Sequence, residues 1–189
     1  EERMTDKEGV TRIFLRRLFP VFSEDGQRIA CMIGNGIEIT ERRKAREELE
    51  ANKRFTEAVL NNSPHLIFVK DKSGRFLLAN KAVAELFNIP KDGIRMKNNY
   101  DLHSNSAEVD GYSKNDLQVF EKGHMLRIEE PFTKSNGERL WFDTVKVPLI
   151  EADGTVNLLG ISTDVTERKV KEDLLRISEQ QLAEAQKLT

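Results

Sequence analysis

Cysteine is almost missing from this chain of 189 residues: Cys31 stands alone, so no internal disulfide and no cysteine pair for a metal is available. A reducing compartment, the cytoplasm, is the expected setting. Long apolar runs are missing too. Nothing approaches the roughly 20 residues that span a bilayer, and no charged-plus-apolar leader opens the chain, so no membrane contact is expected in this segment. Neither sign of charge is in excess, since 30 Lys and Arg face 32 Asp and Glu. No overall field therefore draws the chain to nucleic acid or an anionic membrane. No glycine-rich phosphate loop occurs, because Gly34-Asn35-Gly36 lies inside a strand-like run. Asp153-Gly154, and Asp71 near Gly74, read as turn formers before they read as catalytic acids. No constellation of catalytic groups is left, so this segment is not expected to be an enzyme.

What the chain does have is enough apolar side chain for a core, 38% against 33% charged, and a repeat. Gly160-Ile161-Ser162-Thr163-Asp164-Val165-Thr166-Glu167-Arg168-Lys169 echoes Gly34-Asn35-Gly36-Ile37-Glu38-Ile39-Thr40-Glu41-Arg42-Arg43. Each copy closes a strand-like run and opens a charged helix-like one, with Thr40 and Thr166 placed as helix N-caps. A β-run precedes each copy, Val10 to Phe22 and Leu140 to Ile150, followed by a turn at Ser23-Glu24-Asp25-Gly26 or Asp153-Gly154. Pro20 and Pro148 each lie five residues before the turn Asp. Such self-similarity signals tandem modules. The first copy has nothing upstream to complete it, so the chain is expected to open partway through a module, with residues 1–9 frayed.

Between the copies, Thr40 to Leu60 reads as a helix whose apolar positions Ala45, Leu49, Phe55 and Val59 are sparse. Leu66 to Val69 and Arg75 to Asn80 are paired strands; Asn80 caps a helix from Lys81 to Phe87. Loop and short helical turns are expected from Lys91 to Asp110, then a helix Lys114 to Lys122 capped by Ser113 and ended by Gly123, then strands from Met125 to Thr133 and onward. The order of strands, short helices and strands makes an α+β antiparallel sheet.

These residues resemble the PAS domain family over roughly Phe55 to Thr166, with residues 10–40 resembling the last strands of a preceding copy. The likeness rests on Ile67-x3-Asp71-x2-Gly74-x5-Asn80, on Asp116 to Gly123, and on Pro148, Asp153-Gly154 and Asp164-Val165-Thr166-Glu167-Arg168. It implies a five-stranded antiparallel sheet with short helices on one face. The expected division is 1–40 for the end of a preceding module, 41–62 for a linker helix, 63–166 for a complete PAS domain and 167–189 for a signalling helix. Such arrays usually precede a histidine kinase or a diguanylate cyclase; the expected parent is a multi-PAS sensor histidine kinase of a two-component system, with a diguanylate cyclase as the alternative, and the expected role is sensing a small molecule or partner and relaying it. The competing reading is a ligand-free interaction and dimerisation module.

Strand alternation combined with the family's inward positions points to Phe68, Arg127, Glu129, Phe142, Thr144 and Ser162 as a pocket lining. Phe68 and Phe142 equally fill a core without ligand; if a ligand exists, an inward Arg127 would suggest an anionic one. Haem-binding members of the family place a proximal His on the long helix, where this chain reads Gly111-Tyr112-Ser113-Lys114. His103 and His124 fall outside that position and are expected at the surface, so haem is not expected. Flavin photochemistry needs a reactive cysteine on the same helix, and Cys31 is elsewhere. His65, after Pro64 in a turn, does not look like a phosphoacceptor. The C-terminal helix from Glu167 carries Val170, Leu174, Leu175, Ile177, Leu182, Ala185 and Leu188; with the linker helix it is expected to pair two chains as a homodimer. As signal relay, Asp164 is expected to reach Arg168 across the cap Thr166, with Glu38, Thr40 and Arg42 as the counterpart. No metal site is expected.

Overall fold

The computed structural model describes residues 1–23 and 27–187, with the side chains of residues 91 and 185–187 excepted. The turn expected at residues 23–26 thus lies largely outside the described residues, as do Leu188 and the side chain of Ala185. The chain divides into two compact units, Glu1–Thr56 and Glu57–Thr189.

The first unit is a three-stranded antiparallel sheet, β1 (Glu2–Thr5), β2 (Thr11–Phe22) and β3 (Ile29–Glu38), in that order, leading into helix α1 (Thr40–Asn62). Strand β1 occupies residues expected to be frayed. Its pairing with β2 explains why: Thr5 meets Thr11 across a turn whose Gly9 takes φ +82°, a left-handed backbone that only glycine adopts freely. Gly9 donates to Asp6 O and Asp6 to Val10 O, closing the hairpin.

The second unit carries β4 (Leu66–Lys70), β5 (Phe76–Ala79), α2 (Lys81–Phe87), a 3₁₀ turn (Lys91–Gly93), α3 (Asn99–Leu102), α4 (Ser106–Lys122), β6 (Leu126–Thr133), β7 (Arg139–Ile150), β8 (Val156–Asp164) and α5 (Thr166–Lys187). Its five strands run antiparallel in the order β5-β4-β8-β7-β6. Val83, Ile94 and Val119 pack from the helical segments onto Phe68, Phe76 and Leu158, so the core lies between one sheet face and the helices. Helix α4 starts at Ser106, two turns before the expected cap Ser113. Asn105 is the N-cap, accepting from Glu108 N–H, and Val109, fully buried, holds the first turns against the core despite Gly111 inside the helix.

Asn80 does more than cap α2. Its Oδ1 accepts from Val83 N–H and Ile67 N–H, and its Nδ2 donates to Leu60 O and His65 O, so one fully buried amide ties α1, β4 and α2 together.

Over three strands the two units repeat each other in register. Glu2↔Phe14 and Thr5↔Thr11 in the first correspond to Glu130↔Phe142 and Thr133↔Arg139 in the second, and Phe14↔Glu38 corresponds to Phe142↔Asp164. The turn glycines correspond as well, Gly9 at φ +82° and Gly137 at φ +86°. At the exit, Ile39 N–H donates to Ile13 O as Val165 N–H does to Trp141 O, both at 2.8 Å. Ile13 N–H donates to Thr40 Oγ1 as Trp141 N–H does to Thr166 Oγ1, both at 2.9 Å. Thr40 and Thr166 are therefore not helix caps as expected. Each hydroxyl accepts from the neighbouring strand and clips the first helical residue to the sheet.

Candidate functional site

The concave face of the second unit encloses a cavity of about 60 Å³ among Phe68, Phe76, Phe87, Phe132 and Phe142, with Lys70, Glu130 and Lys146 at its polar end. Four of the side chains expected in a pocket are there: Phe68 and Phe142 as walls, and Thr144 and Ser162, whose hydroxyls bond at 2.9 Å. Gly160 makes room for Phe68, since a Cβ on Gly160 would lie 2.2 Å from the ring. The rings meet edge to face, Phe68 on Phe76 at 5.8 Å and Phe132 on Phe142 at 6.3 Å.

Arg127 and Glu129 are not in the cavity. Strand β6 turns Glu130 and Phe132 inward, so the odd-numbered positions face out. Arg127, with its side chain 68% exposed, makes a bidentate pair with Asp143 on the outer face. The anionic ligand inferred from an inward Arg127 loses its basis.

The inward charges are different ones. Lys70 Nζ lies 2.9 Å from Asp116 Oδ2, and Lys146 Nζ lies 2.8 Å from Asp116 Oδ1 and 2.7 Å from Glu130 Oε1. Asn115 Nδ2 donates to Glu130 at 3.0 Å. Both lysines are almost wholly buried, and Lys70 also sits over the rings of Phe68 and Phe76 at 5.1 and 4.9 Å. The cluster is formally neutral and bolts α4 to β4 and β7. Burial pushes the Lys70 ammonium pKa down. Burial also works against the charged forms of Asp116 and Lys146, but Lys70 and Lys146 outweigh it for Asp116, whose pKa is lowered, and Asp116 and Glu130 outweigh it for Lys146, whose pKa is raised. Asp116 Oδ1 lies within ion-pair distance of Lys146 but off the direction of a hydrogen bond.

A second cluster adjoins the first. His103 is buried, contrary to its expected surface position: its Nε2 lies 2.8 Å from Glu108 Oε2, and its ring stacks on Phe132 at 4.5 Å. Glu108 also accepts from Thr133 N–H and Thr133 Oγ1, which fastens the start of α4 to the end of β6. Burial works against its charge, yet the bonds from Thr133 and His103 hold its carboxyl below the usual range. Tyr112 donates from its hydroxyl to Pro131 O. Burial and the nearby Glu108 and Glu130 push that phenol above its usual range.

At the joint with α5, Asp164 does not reach Arg168. Its Oδ1 accepts from Thr166 N–H at 2.8 Å, two residues on, which leaves Arg168 to bond Glu129 Oε1 at 2.6 Å and Glu172 Oε1 at 2.7 Å. Lys169 pairs with Glu129 and sits over Trp141 at 5.4 Å. Hydrogen bonds from Lys169 and Arg168 hold the Glu129 carboxyl below its usual range. Glu129, expected in the pocket, thus belongs to the root of α5. In the first unit Thr40 Oγ1 donates to Glu38 at 3.0 Å, while Arg42 is exposed.

The sequence reading passed over Lys70, Lys146, Glu130, Asp116, Glu108 and Tyr112. Alternation was a signal for two of them: Lys70 has the parity of Phe68, and Lys146 that of Phe142 and Thr144. Among the described residues no three His, Cys, Asp or Glu side chains gather as a metal set, and no helix is long and apolar enough to cross a membrane.

A family model described as the PAS fold matches residues 60–170. Over 150 residues the chain is 32% identical to a diguanylate cyclase of Vibrio cholerae, covering 76% of this chain and 44% of that protein. The chain thus spans less than half the length of that relative. A PAS domain from Colwellia psychrerythraea superposes with a TM-score of 0.51 at 20% identity, covering 62% of this chain and 98% of that one. A Vibrio cholerae VqmA–ligand–DNA complex superposes with a TM-score of 0.54 at 18% identity over 65% of this chain and 57% of that one. At these identities the superpositions speak for the fold alone. With more than half of its length inside the family model, and a five-stranded sheet cupped against short helices, the chain belongs to the PAS-fold family of sensory domains.

Proposed function

We propose that this chain is the sensing and relaying part of a longer cytoplasmic signalling protein. Its input is a small molecule in the cavity of the second unit, its relay is α1 and α5, and its output is a domain outside this sequence. The observation that carries the reading is the double duty of β7. On its inner face Lys146 closes the charge cluster with Asp116 of α4; at its start Trp141 holds Thr166 and Lys169 of α5. A molecule that competes for Lys146 or Lys70 disturbs the strand on which the outgoing helix is rooted. The ligand-bound VqmA complex is a further support for a small-molecule input. The Vibrio cholerae relative favours a diguanylate cyclase output over a histidine kinase. The protein acts as a homodimer paired through α1 and α5, with Asp164, Thr166, Arg168 and Glu129, and Glu38, Thr40 and Arg42 in the first unit, at the joints that pass the signal.

A second reading rests on the size of the cavity. At about 60 Å³ it lies below the roughly 300 Å³ at which ordinary ligand pockets begin, which favours a filled core and a role in pairing alone. Native mass spectrometry of the purified chain separates the two. A bound small molecule that is lost on denaturation supports sensing, and an unliganded mass in every preparation, with no stabilisation by a metabolite screen, supports the pairing module.

A further inference from the structure

The sheet of the first unit repeats the sheet of the second but lacks its cover. By register, Met4, Leu18 and Met32 take the places of Phe132, Lys146 and Leu158. The latter three are 6%, 1% and 0% exposed; the former are 45%, 60% and 50% exposed. The same positions on the same strands are thus buried in one unit and open in the other. The second unit also shows what does the covering. Strand β4 pairs along the far edge of β8, with Phe68 opposite Gly160, and α2 and α4 lie over the concave face. In the first unit β3 has β2 on one side only. Gly34 holds the place of Gly160, and the Leu18 side chain leans over it where Phe68 lies over Gly160.

From this register we infer that the first unit is the docking half of a second cup. It is covered by a strand-and-helix segment of the pattern of residues 66–122, supplied by the same polypeptide ahead of Glu1. The arriving strand pairs antiparallel along β3 and sets a large side chain over Gly34, displacing Leu18. The concave face states part of the partner's chemistry. Glu2 and Arg16 pair there at 2.8 Å, half exposed; by register they stand at the places of Glu130, which meets Asn115 of α4, and of Thr144. The long helix of the covering segment therefore carries a polar donor at the position of Asn115, facing Glu2, and needs no acid at the position of Asp116, where Leu18 replaces Lys146.

The open edge supplies the test. Ile39 N–H points to β2, so alternation turns the N–H groups of Met32, Gly34 and Gly36 to the free side. Amide exchange of these three is compared by NMR in this chain and in the same protein lengthened by about 65 residues of its own upstream coding sequence. The expected result is exchange at least tenfold slower in the longer protein at all three. A companion variant, Gly34→Val, lowers the melting temperature of the longer protein by several degrees more than that of this chain, where the Leu18 side chain has to move and Arg17 O, 3.1 Å from the added Cβ, has to give slightly. The inference is overturned if the three amides exchange equally fast in both. It is equally overturned if they are already protected in this chain in proportion to its concentration, which makes a second copy the cover, or if no such coding sequence lies upstream.

Discussion

Asn80→Ala removes the four bonds of one buried amide and strands the N–H groups of Ile67 and Val83 and the carbonyl of His65, whereas Leu60 O keeps Ser63 N–H at 3.4 Å. At about 1 kcal/mol per net bond, the expected loss is about 3 kcal/mol, read as a lower urea midpoint at unchanged slope. A loss under about 1 kcal/mol would contradict the hub. Acid should act through Asp116 and Glu108. Both have folded pKa values below the ordinary carboxylate range, so their stabilisation is complete above roughly pH 5 and is lost as pH falls through the folded values. The melting temperature should hold steady down to that point and then drop. In Asp116→Asn the drop should be smaller and the neutral-pH value lower, since two buried ammonium groups lose their shared partner.

Among the elements, the clip at the root of α5 is the sharpest target. Thr166→Val keeps the shape but leaves Trp141 N–H without its acceptor, for a cost of about 1 kcal/mol. Hydrogen exchange should quicken in the first turn of α5 and at Trp141, while the core of β4 and β8 stays as slow as before. The elements themselves were largely legible beforehand. Period-two runs between turn residues located β2 to β8, and Asn80 before Lys81 located α2 to the residue. The start of α4 was hidden because Gly111 and two serines break the apparent periodicity, and only the burial of Val109 reveals that the helix begins earlier. Strand β1 was hidden because Glu2-Arg3-Met4-Thr5 is polar, although Glu2, Thr5 and Gly9 repeat the spacing of Glu130, Thr133 and Gly137. In the site, parity misassigned β6 by one residue. Strand β6 presents two adjacent glutamates, and sequence alone does not say which one faces the aromatic cup. The buried lysines went unread since ammonium groups are almost never fully buried unless paired, and the partner Asp116 lies on another element.

Taken whole, the molecule leaves its helices apolar on the outside. Leu49, Phe55 and Val59 of α1 are 70%, 71% and 56% exposed, and Leu174, Leu175 and Leu182 of α5 are 62%, 62% and 61% exposed. The pairing proposed above would cover these side chains with those of another chain. Analytical ultracentrifugation should give a dimer at micromolar concentration, and Leu174→Glu with Leu182→Glu should return a folded monomer whose melting temperature is lower and no longer depends on concentration. A monomeric wild type would remove pairing from the reading of both helices.

The rooted helix α5 also sets a scale for mechanical gain. Its 22 residues extend about 33 Å at about 1.5 Å per residue, so a tilt of about 5° at the Trp141 clip carries the far end through about 3 Å. The fulcrum is short and held by Thr166, Arg168 and Lys169, whereas the arm beyond Glu172 touches nothing else among the described contacts of the sheet. Under the proposed relay, a rearrangement of the cavity too small to alter the fold would be delivered at the far end of α5 as a displacement comparable with the width of a side chain.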